Sequence, residues 1–193
     1  MDKKCIKQAE ETIIFEEHTD NDSKHLIHIS TSDITKVDVE CIVNAANNSL
    51  LGGGGVDGAI HKAAGRELLE ECRALNGCKT GEAKITKGYN LKARFIIHTV
   101  GPIYSGKESD ALLLRNCYWN SLELARKNDI HSIAFPAIST GVYGYPLREA
   151  TEIALGTVSD WVKANPHYGM SILFCCFSDK TTEVYHSIWN KKA

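Results

Sequence analysis

The chain has 193 residues, of which 43% are hydrophobic, a size that suits one domain with a substantial core. Its formal net charge of −2 predicts no general attraction to nucleic acid or to an anionic membrane surface. No stretch approaches the roughly 18 apolar residues of a membrane helix, and the charged first residues do not resemble a signal peptide. We therefore expect a cytoplasmic protein with neither a nucleic-acid nor a membrane partner, and we expect it to be a monomer.

Seven cysteines raise the question of a disulfide or a metal site. They form no C-x-x-C pair and their number is odd, so we expect reduced thiols that are buried as small apolar side chains. Cys72 and Cys78 could share a metal with His61, but their spacing matches no standard ligand pattern. The sequence therefore predicts no metal site.

The hydrophobic pattern predicts strands that alternate with helices. The charged residues 1–24 are assigned to an N-terminal extension, for which a short helix, an edge strand or partial disorder all fit, and residues 25–193 to a single domain. Strands are predicted at 26–29, 39–43, 81–89, 93–100, 132–138 and 171–177, and helices at 58–64, 67–75, 110–127, 147–162 and 181–190. This order predicts a layered α/β fold with a largely parallel sheet.

Four consecutive glycines, Gly52 to Gly55, stand between an Asn-rich turn and a short helical pattern. Ordering glycine costs more backbone entropy than ordering any other residue, so folding alone does not account for this run. It allows backbone N–H groups to approach a bulky anion, and the start of the following helix favours a phosphate at the same place. We therefore predict a diphosphate cradle. The polar side chains that flank it are candidates for chemistry: Asn44, Asn47, Asp57 and His61.

Two further segments also follow predicted strands. One contains Asp33, which is either a turn former or helix cap, or a carboxylate that accepts from a ligand amine. The other is a second glycine-punctuated loop, 139–145, which runs into a helix. Because ligands of such sheets bind outside the carboxyl ends of the strands, the two glycine loops are expected to meet there. Two opposed loops suit a pyrophosphate.

A literal G-x-G-x-x-G occurs at Gly53, Gly55 and Gly58, which raises the possibility of a dinucleotide-dependent oxidoreductase. That motif should follow its strand at once and have an acidic residue about 20 positions later, at the end of a second strand. Here about nine residues intervene, and Glu70 and Glu71 fall in a helical pattern. No Lys-Ser/Thr follows the glycines, so a nucleoside triphosphatase fits even less well.

The motifs of this chain closely resemble those of macrodomains of the MacroD type, which bind ADP-ribose and hydrolyse ADP-ribosyl esters. The resemblance rests on Asn44–Gly65, Ser32–Thr35, His98–Pro102 and Ser139–Pro146, and it extends over residues 25–190. It implies a three-layer α/β/α sandwich on a mixed, mostly parallel six-stranded sheet.

The resemblance also implies roles for individual residues. Asp33 would accept from the adenine amino group, beside the backbone of Ile34. Asn47 would fix hydroxyls of the distal ribose, on which Tyr143 would pack. The residues implied to cradle the pyrophosphate are Gly53, Gly54, Gly55 and Val56 on one side and Ser139, Thr140, Gly141, Val142 and Tyr143 on the other.

Two assignments stay open and two positions depart from the family pattern. Asn44 either contacts the ligand or braces the loop, and Phe177 either stacks on adenine or belongs to the core. Ser32 stands where the family usually has glycine, which alters the adenine turn or adds a hydroxyl contact. Tyr143 stands where many relatives have phenylalanine, so its ring still packs and its hydroxyl can touch substrate or water.

The implied reaction is hydrolysis of an ester at the distal ribose, with O-acetyl-ADP-ribose and mono-ADP-ribosylated proteins as substrates and with no cofactor or metal. Asp57 and His61 are four residues apart and so share a helix face. From the residues alone, Asp57 is a helix N-cap or a functional acid, and His61 is a packed, hydrogen-bonded side chain. The resemblance makes Asp57 the general base, with His61 in support and Asn47 orienting the sugar. A second route lets a substrate phosphate position the water.

Three other functions compete with this interpretation. A non-catalytic ADP-ribose reader would keep both glycine loops but would not need Asp57. A phosphatase acting on ADP-ribose 1″-phosphate could use the same cleft. An RNA-binding module would need a basic, aromatic surface that the sequence does not show.

Overall fold

The structure is a computed structural model that describes residues 12–14 and 25–190. Its strands are β1 (Thr12–Ile14), β2 (Leu26–Thr31), β3 (Cys41–Ala45), β4 (Ala83–Lys87), β5 (Phe95–Thr99), β6 (Ser132–Phe135) and β7 (Ser171–Cys176). Its helices are α1 (Gly55–Ala64), α2 (Arg66–Ala74), α3 (Glu108–Lys127), α4 (Leu147–Ala164) and α5 (Asp179–Trp189). Each predicted strand and helix is present, and its first and last residues differ from the predicted ones by a few positions.

These strands form one sheet in the order β1-β2-β7-β6-β3-β5-β4. The central strands are parallel to one another, and β4 pairs antiparallel with β5 at one side of the sheet. The six strands β2 to β7 are the mixed, mostly parallel sheet that the resemblance implied. At the other side the short β1 pairs antiparallel with β2, which is the edge strand that was one alternative for the N-terminal extension. The rest of residues 1–24 lies outside the described part of the chain.

Both faces of the sheet are covered, which makes the molecule a three-layer sandwich. Cys41 and Val43 of β3 belong to a large apolar cluster with α3, α4 and α5. Their neighbour Ile42 points to the opposite face and joins a smaller cluster with α1 and α2. Burial on both faces is the reason that the central strands are almost continuously apolar.

The six described cysteines are free and buried, as expected for reduced thiols, and Cys5 lies outside the described residues. Helix α5 is capped by Ser178, whose side chain accepts from the backbone N–H of Thr181. Within the described ranges, no helix is long and apolar enough to cross a bilayer.

Candidate functional site

A cleft of about 270 Å³ opens at the carboxyl ends of β3, β5 and β6. The two glycine loops predicted from the sequence form its opposite walls. Its lining residues are Ala45, Ala46, Asn47, Gly53, Gly54, Gly55, Val56 and Asp57 on one side and Gly101, Ala137, Ser139, Gly141, Val142 and Tyr143 on the other. The two loops therefore meet at one cleft, and the binding of a pyrophosphate there stays a prediction.

The first loop runs directly into α1, which begins at Gly55 and not at Gly58 as the pattern indicated. Gly55 has a φ of 59°, a conformation that glycine adopts without steric cost. A Cβ at Gly58 would collide with the carbonyl oxygen of Gly53, so the first turn needs glycine there as well. No side chain caps the helix at Gly54. The unpaired N–H groups of this first turn consequently lie at the cleft wall, where they suit an anion.

The second loop is held closed by its own backbone. Tyr145 N–H donates to Ser139 O at 2.9 Å, and Gly144 N–H donates to Gly141 O at 2.9 Å. Ser139 has a φ of 66°, which is strained for a residue with a side chain. A Cβ at Gly101 would collide with Ser139 Oγ, so the neighbouring strand must present glycine to this loop. Thr140 does not line the cleft; its hydroxyl donates to Ala137 O at 2.8 Å.

Asp57 is buried at the base of the first loop, with 4% of its surface exposed. Asn44 Nδ2 donates to its Oδ1 at 2.8 Å, and His61 Nε2 lies 3.5 Å from the same oxygen. The other oxygen, Oδ2, has no hydrogen-bond partner among the described residues. Burial raises the pKa of the Asp57 carboxyl, while the Asn44 hydrogen bond and the charge of His61 act in the opposite direction. Asp57, which lines the cleft, therefore has one oxygen that is held by hydrogen bonding and one buried oxygen without a partner among the described residues.

Asn47 both lines the cleft and shapes the turn before the glycines. Its Nδ2 donates to Gly52 O at 2.9 Å, and its Oδ1 accepts from the backbone and hydroxyl of Ser49 at 3.0 and 2.6 Å. The Cβ position of Gly53 is 3.1 Å from Asp57 Oδ2 and 3.3 Å from Asn47 Nδ2. The two side chains are thus neighbours on one wall, and a side chain at Gly53 would press on both.

Three predicted ligand contacts do not line this cleft. Asp33 closes a turn by accepting from the hydroxyl and the backbone N–H of Thr35 at 2.7 and 3.0 Å, and it pairs with Lys36. The Thr35 hydrogen bonds lower the pKa of the Asp33 carboxyl. Ile34 beside it is buried. Phe177 is 98% exposed, which excludes the core role that was one of its two alternatives. Their contact with adenine stays a prediction.

The remaining open assignment concerns Asn44. Its side chain is fully buried and does not line the cleft. It braces the site through Asp57, so the second of its two alternatives describes its place in the structure. His61 also lies behind the wall, where its ring packs close to Gly52. In the described ranges, no three His, Cys, Asp or Glu side chains come together as a metal site would need.

The family model described as Macro domain matches residues 43–154, which contain both loops and the cleft. The chain belongs to the macro domain family. Over 162 residues it is 64% identical to a macro domain-containing protein of Mesorhizobium japonicum, a match that spans 82% of this chain and 90% of that protein. Over 167 residues it is 52% identical to the ADP-ribose glycohydrolase MACROD2 of Homo sapiens, covering 86% of this chain and 39% of that protein.

A solved macro domain structure agrees with the fold. The Trypanosoma brucei macrodomain in complex with ADP-ribose is 46% identical to this chain, with a TM-score of 0.79. The match covers 83% of this chain and 68% of that one. The α/β/α sandwich of this macro domain is therefore the family fold.

His98, to which the sequence pattern assigns no role, is fully buried beneath the site of this macro domain. It lies at the carboxyl end of β5, and its Cα is paired with that of Asn44 in β3. Its Nδ1 is 3.1 Å from Asn44 Nδ2, and its Nε2 is 2.9 Å from Thr86 Oγ1. The signal was an imidazole directly after three apolar residues, Phe95 to Ile97, of a predicted buried strand.

We expect the stability of the macro domain to depend on the protonation of His98. Burial, and to a lesser extent the charge of His61, lower the pKa of His98 from 6.5 to about 3. The unfolded chain therefore binds a proton that the folded chain does not, and this lowers the free energy of unfolding as the pH falls from 6.5 towards 3. The slope from this residue is at most about 1.4 kcal/mol per pH unit.

Urea unfolding of the wild type and of His98→Phe at a series of pH values measures this effect. The difference between the two proteins removes the contribution of other titrating groups. A difference that does not change with pH would contradict a neutral, buried His98.

Proposed function

We propose that this macro domain binds ADP-ribose and hydrolyses esters at its distal ribose. Its substrates are O-acetyl-ADP-ribose and proteins that carry a single ADP-ribose on glutamate or aspartate. The first loop and the start of α1 receive one side of the pyrophosphate, and the loop 139–143 receives the other. Relatives named ADP-ribose glycohydrolase and a related macrodomain in complex with ADP-ribose support this assignment.

One observation favours an enzyme over a binding module. Asp57 is almost fully buried, yet its Oδ2 has no hydrogen-bond partner in the described part of the chain. Leaving a buried carboxylate oxygen unpaired costs free energy, and binding a diphosphate through backbone N–H groups does not need it. A general base does need it, because a free oxygen must accept the proton of water.

The reaction follows from this placement. Water beside Asp57 Oδ2 gives a proton to the carboxylate as its oxygen attacks the ester, and the ester bond to the ribose oxygen breaks. The proton on Asp57 then passes to the departing ribose oxygen, so the products are the carboxylic acid and ADP-ribose, and the acid releases its own proton to solvent. Because burial raises the Asp57 pKa, its carboxylate is a stronger base than an exposed one. Asn47 on the same wall holds the ribose hydroxyls so that water and ester meet.

The test offers the purified protein two esters and one substrate whose linkage to ADP-ribose is not an ester. The esters are O-acetyl-ADP-ribose and a protein ADP-ribosylated on glutamate. The third substrate is a protein ADP-ribosylated on serine, whose linkage has no carbonyl for water to attack. Mass spectrometry should show loss of both esters and persistence of the serine linkage.

Two other results would change the assignment. Binding of ADP-ribose without release from either ester would identify a reader. Equal cleavage of the serine linkage would contradict attack on the ester.

A further inference from the structure

A row of buried polar groups lies directly behind Asp57. Asn44 and His98 are aligned neighbours on β3 and β5, and both side chains are fully buried. The same sheet face is otherwise apolar at Ile42 and Ile96, which pack in the cluster under α1 and α2. Polar groups in such a place are costly unless they are hydrogen-bonded to one another. Their arrangement therefore calls for a reason beyond packing.

The hydrogen bonds in this row have only one consistent order of donors and acceptors. Asp57 is a carboxylate acceptor, so Asn44 must present its NH₂ group to Oδ1. The same Nδ2 faces His98 Nδ1 at 3.1 Å, and Nδ1 must then be the acceptor. The ring proton consequently sits on Nε2, which donates to Thr86 Oγ1 at 2.9 Å. The Thr86 hydroxyl in turn donates to the carbonyl of Lys87 at 3.2 Å.

The other orientation of the Asn44 amide is disfavoured by Asp57. A flipped amide would turn its carbonyl oxygen towards the Asp57 carboxylate, and the tautomer of His98 that accepts at Nδ1 matches the observed orientation. In the observed orientation Asn44 Oδ1 has no partner among the described residues. The orientation is therefore held through the two bonds of Nδ2, and His98 supplies one of the two acceptors.

We propose that His98 is a positioning residue for the reaction, acting through Asn44 on Asp57. It keeps the Asn44 amide in the orientation that donates to Oδ1, which leaves Oδ2 as the oxygen that accepts the proton of water. This role rests on the proposed function, in which Asp57 is the base. His98 itself does not line the cleft, so it acts only through its neighbours.

Loss of His98 should change both the rate of hydrolysis and the pKa of Asp57. Without the Nδ1 acceptor, the Asn44 amide can turn, and Asp57 loses a donor that favours its ionised form. The charge neighbours of Asp57 would still be His61 on its own helix and Cys72 on α2. A hydrogen bond to a charged group is worth about tenfold or more in rate and about one pH unit in pKa.

The experiment compares kcat and KM across pH for the wild type, His98→Phe and Ile96→Ala. Ile96 is the matched control, because it is equally buried on the same face of β5 and its side chain, although in register with Thr86, cannot hydrogen-bond to the row. We expect His98→Phe to lower kcat about tenfold or more with KM little changed. The acidic limb of the pH–rate profile of His98→Phe should move to higher pH, because Asp57 must be ionised to act as the base. Ile96→Ala should be less stable than the wild type, but the acidic limb of its pH–rate profile should not move.

A second variant separates hydrogen bonding from packing. His98→Gln offers a side-chain carbonyl that can accept from Asn44, so it should keep more of kcat than His98→Phe. Equal kcat in His98→Phe and His98→Gln would overturn the role of His98. The same conclusion would follow if the acidic limb of the pH–rate profile moved as far in Ile96→Ala as in His98→Phe.

A direct measurement keeps this inference apart from the proposed function. The titration of the Asp57 carboxyl carbon can be followed by ¹³C NMR in the wild type and in whichever His98 variant is folded. An upward shift in the variant supports the positioning role even where no ester is cleaved, and an unchanged titration overturns it. Absence of turnover in the wild type, by contrast, counts against the proposed function alone.

Discussion

Asp57→Asn is expected to lower the rate of ester hydrolysis by about 10²–10⁴-fold, the usual contribution of a general base. The amide oxygen can still accept from Asn44, so the shape of the first loop is retained. Because the variant removes a buried charge whose pKa burial has raised, it should be no less stable than the wild type at neutral pH. Affinity for ADP-ribose should stay within a few-fold. Calorimetry and initial rates measure the two effects separately.

The matched control for this variant is Asp160→Asn. Asp160 is exposed on α4, where it pairs with Arg115 at 3.3 Å, and neither residue lines the cleft. It should change neither rate nor affinity. Hydrolysis by Asp57→Asn at the wild-type rate would remove Asp57 as the base and favour water that a substrate phosphate positions.

Gly54→Glu and Gly141→Glu should each weaken ADP-ribose binding about 100-fold or more. Both glycines line the cleft, on opposite walls, and a Cβ at either position meets nothing within 4 Å. The new side chains can therefore fold without a clash and extend into the space for the pyrophosphate. We expect the new carboxylate to lie within a few ångströms of a phosphate. At such a separation near a protein surface, the repulsion between the two charges is about 4 kcal/mol.

Gly54→Gln and Gly141→Gln have nearly the same size but no charge, so they separate repulsion from obstruction. Titration calorimetry at two salt concentrations should show a larger loss, and a stronger salt dependence, for the glutamates. If only one of the two walls responded to charge, the anion would be held by one loop, and a pyrophosphate between both loops would be wrong.

The cleft could be predicted because its chemistry lies in the backbone. A run of glycines is visible in any sequence, and its entropy cost calls for an explanation. The strand order also brought the second loop to the same edge of the sheet without knowledge of any side chain. Both loops line the cleft as expected, and Asp57 and Asn47 line it with them.

The buried support of the site could not be predicted in the same way. The link between Asn44 and His98 depends on the register of β3 against β5, which hydrophobic periodicity does not determine. Phe177 ends an apolar strand and reads as a core residue, yet β7 stops at Cys176 and leaves its ring exposed. Asn47 shows a third limit, because its part in shaping the turn depends on the path of the loop.

The short strand β1 has a consequence for solubility. It is three residues long, and it satisfies part of the outer N–H and C=O groups of β2. A protein shortened to begin at residue 25 would present those groups to solvent along Leu26–Thr31, as a template on which a second molecule can add its own backbone. Strand β1 thus protects the outer edge of β2 against self-association.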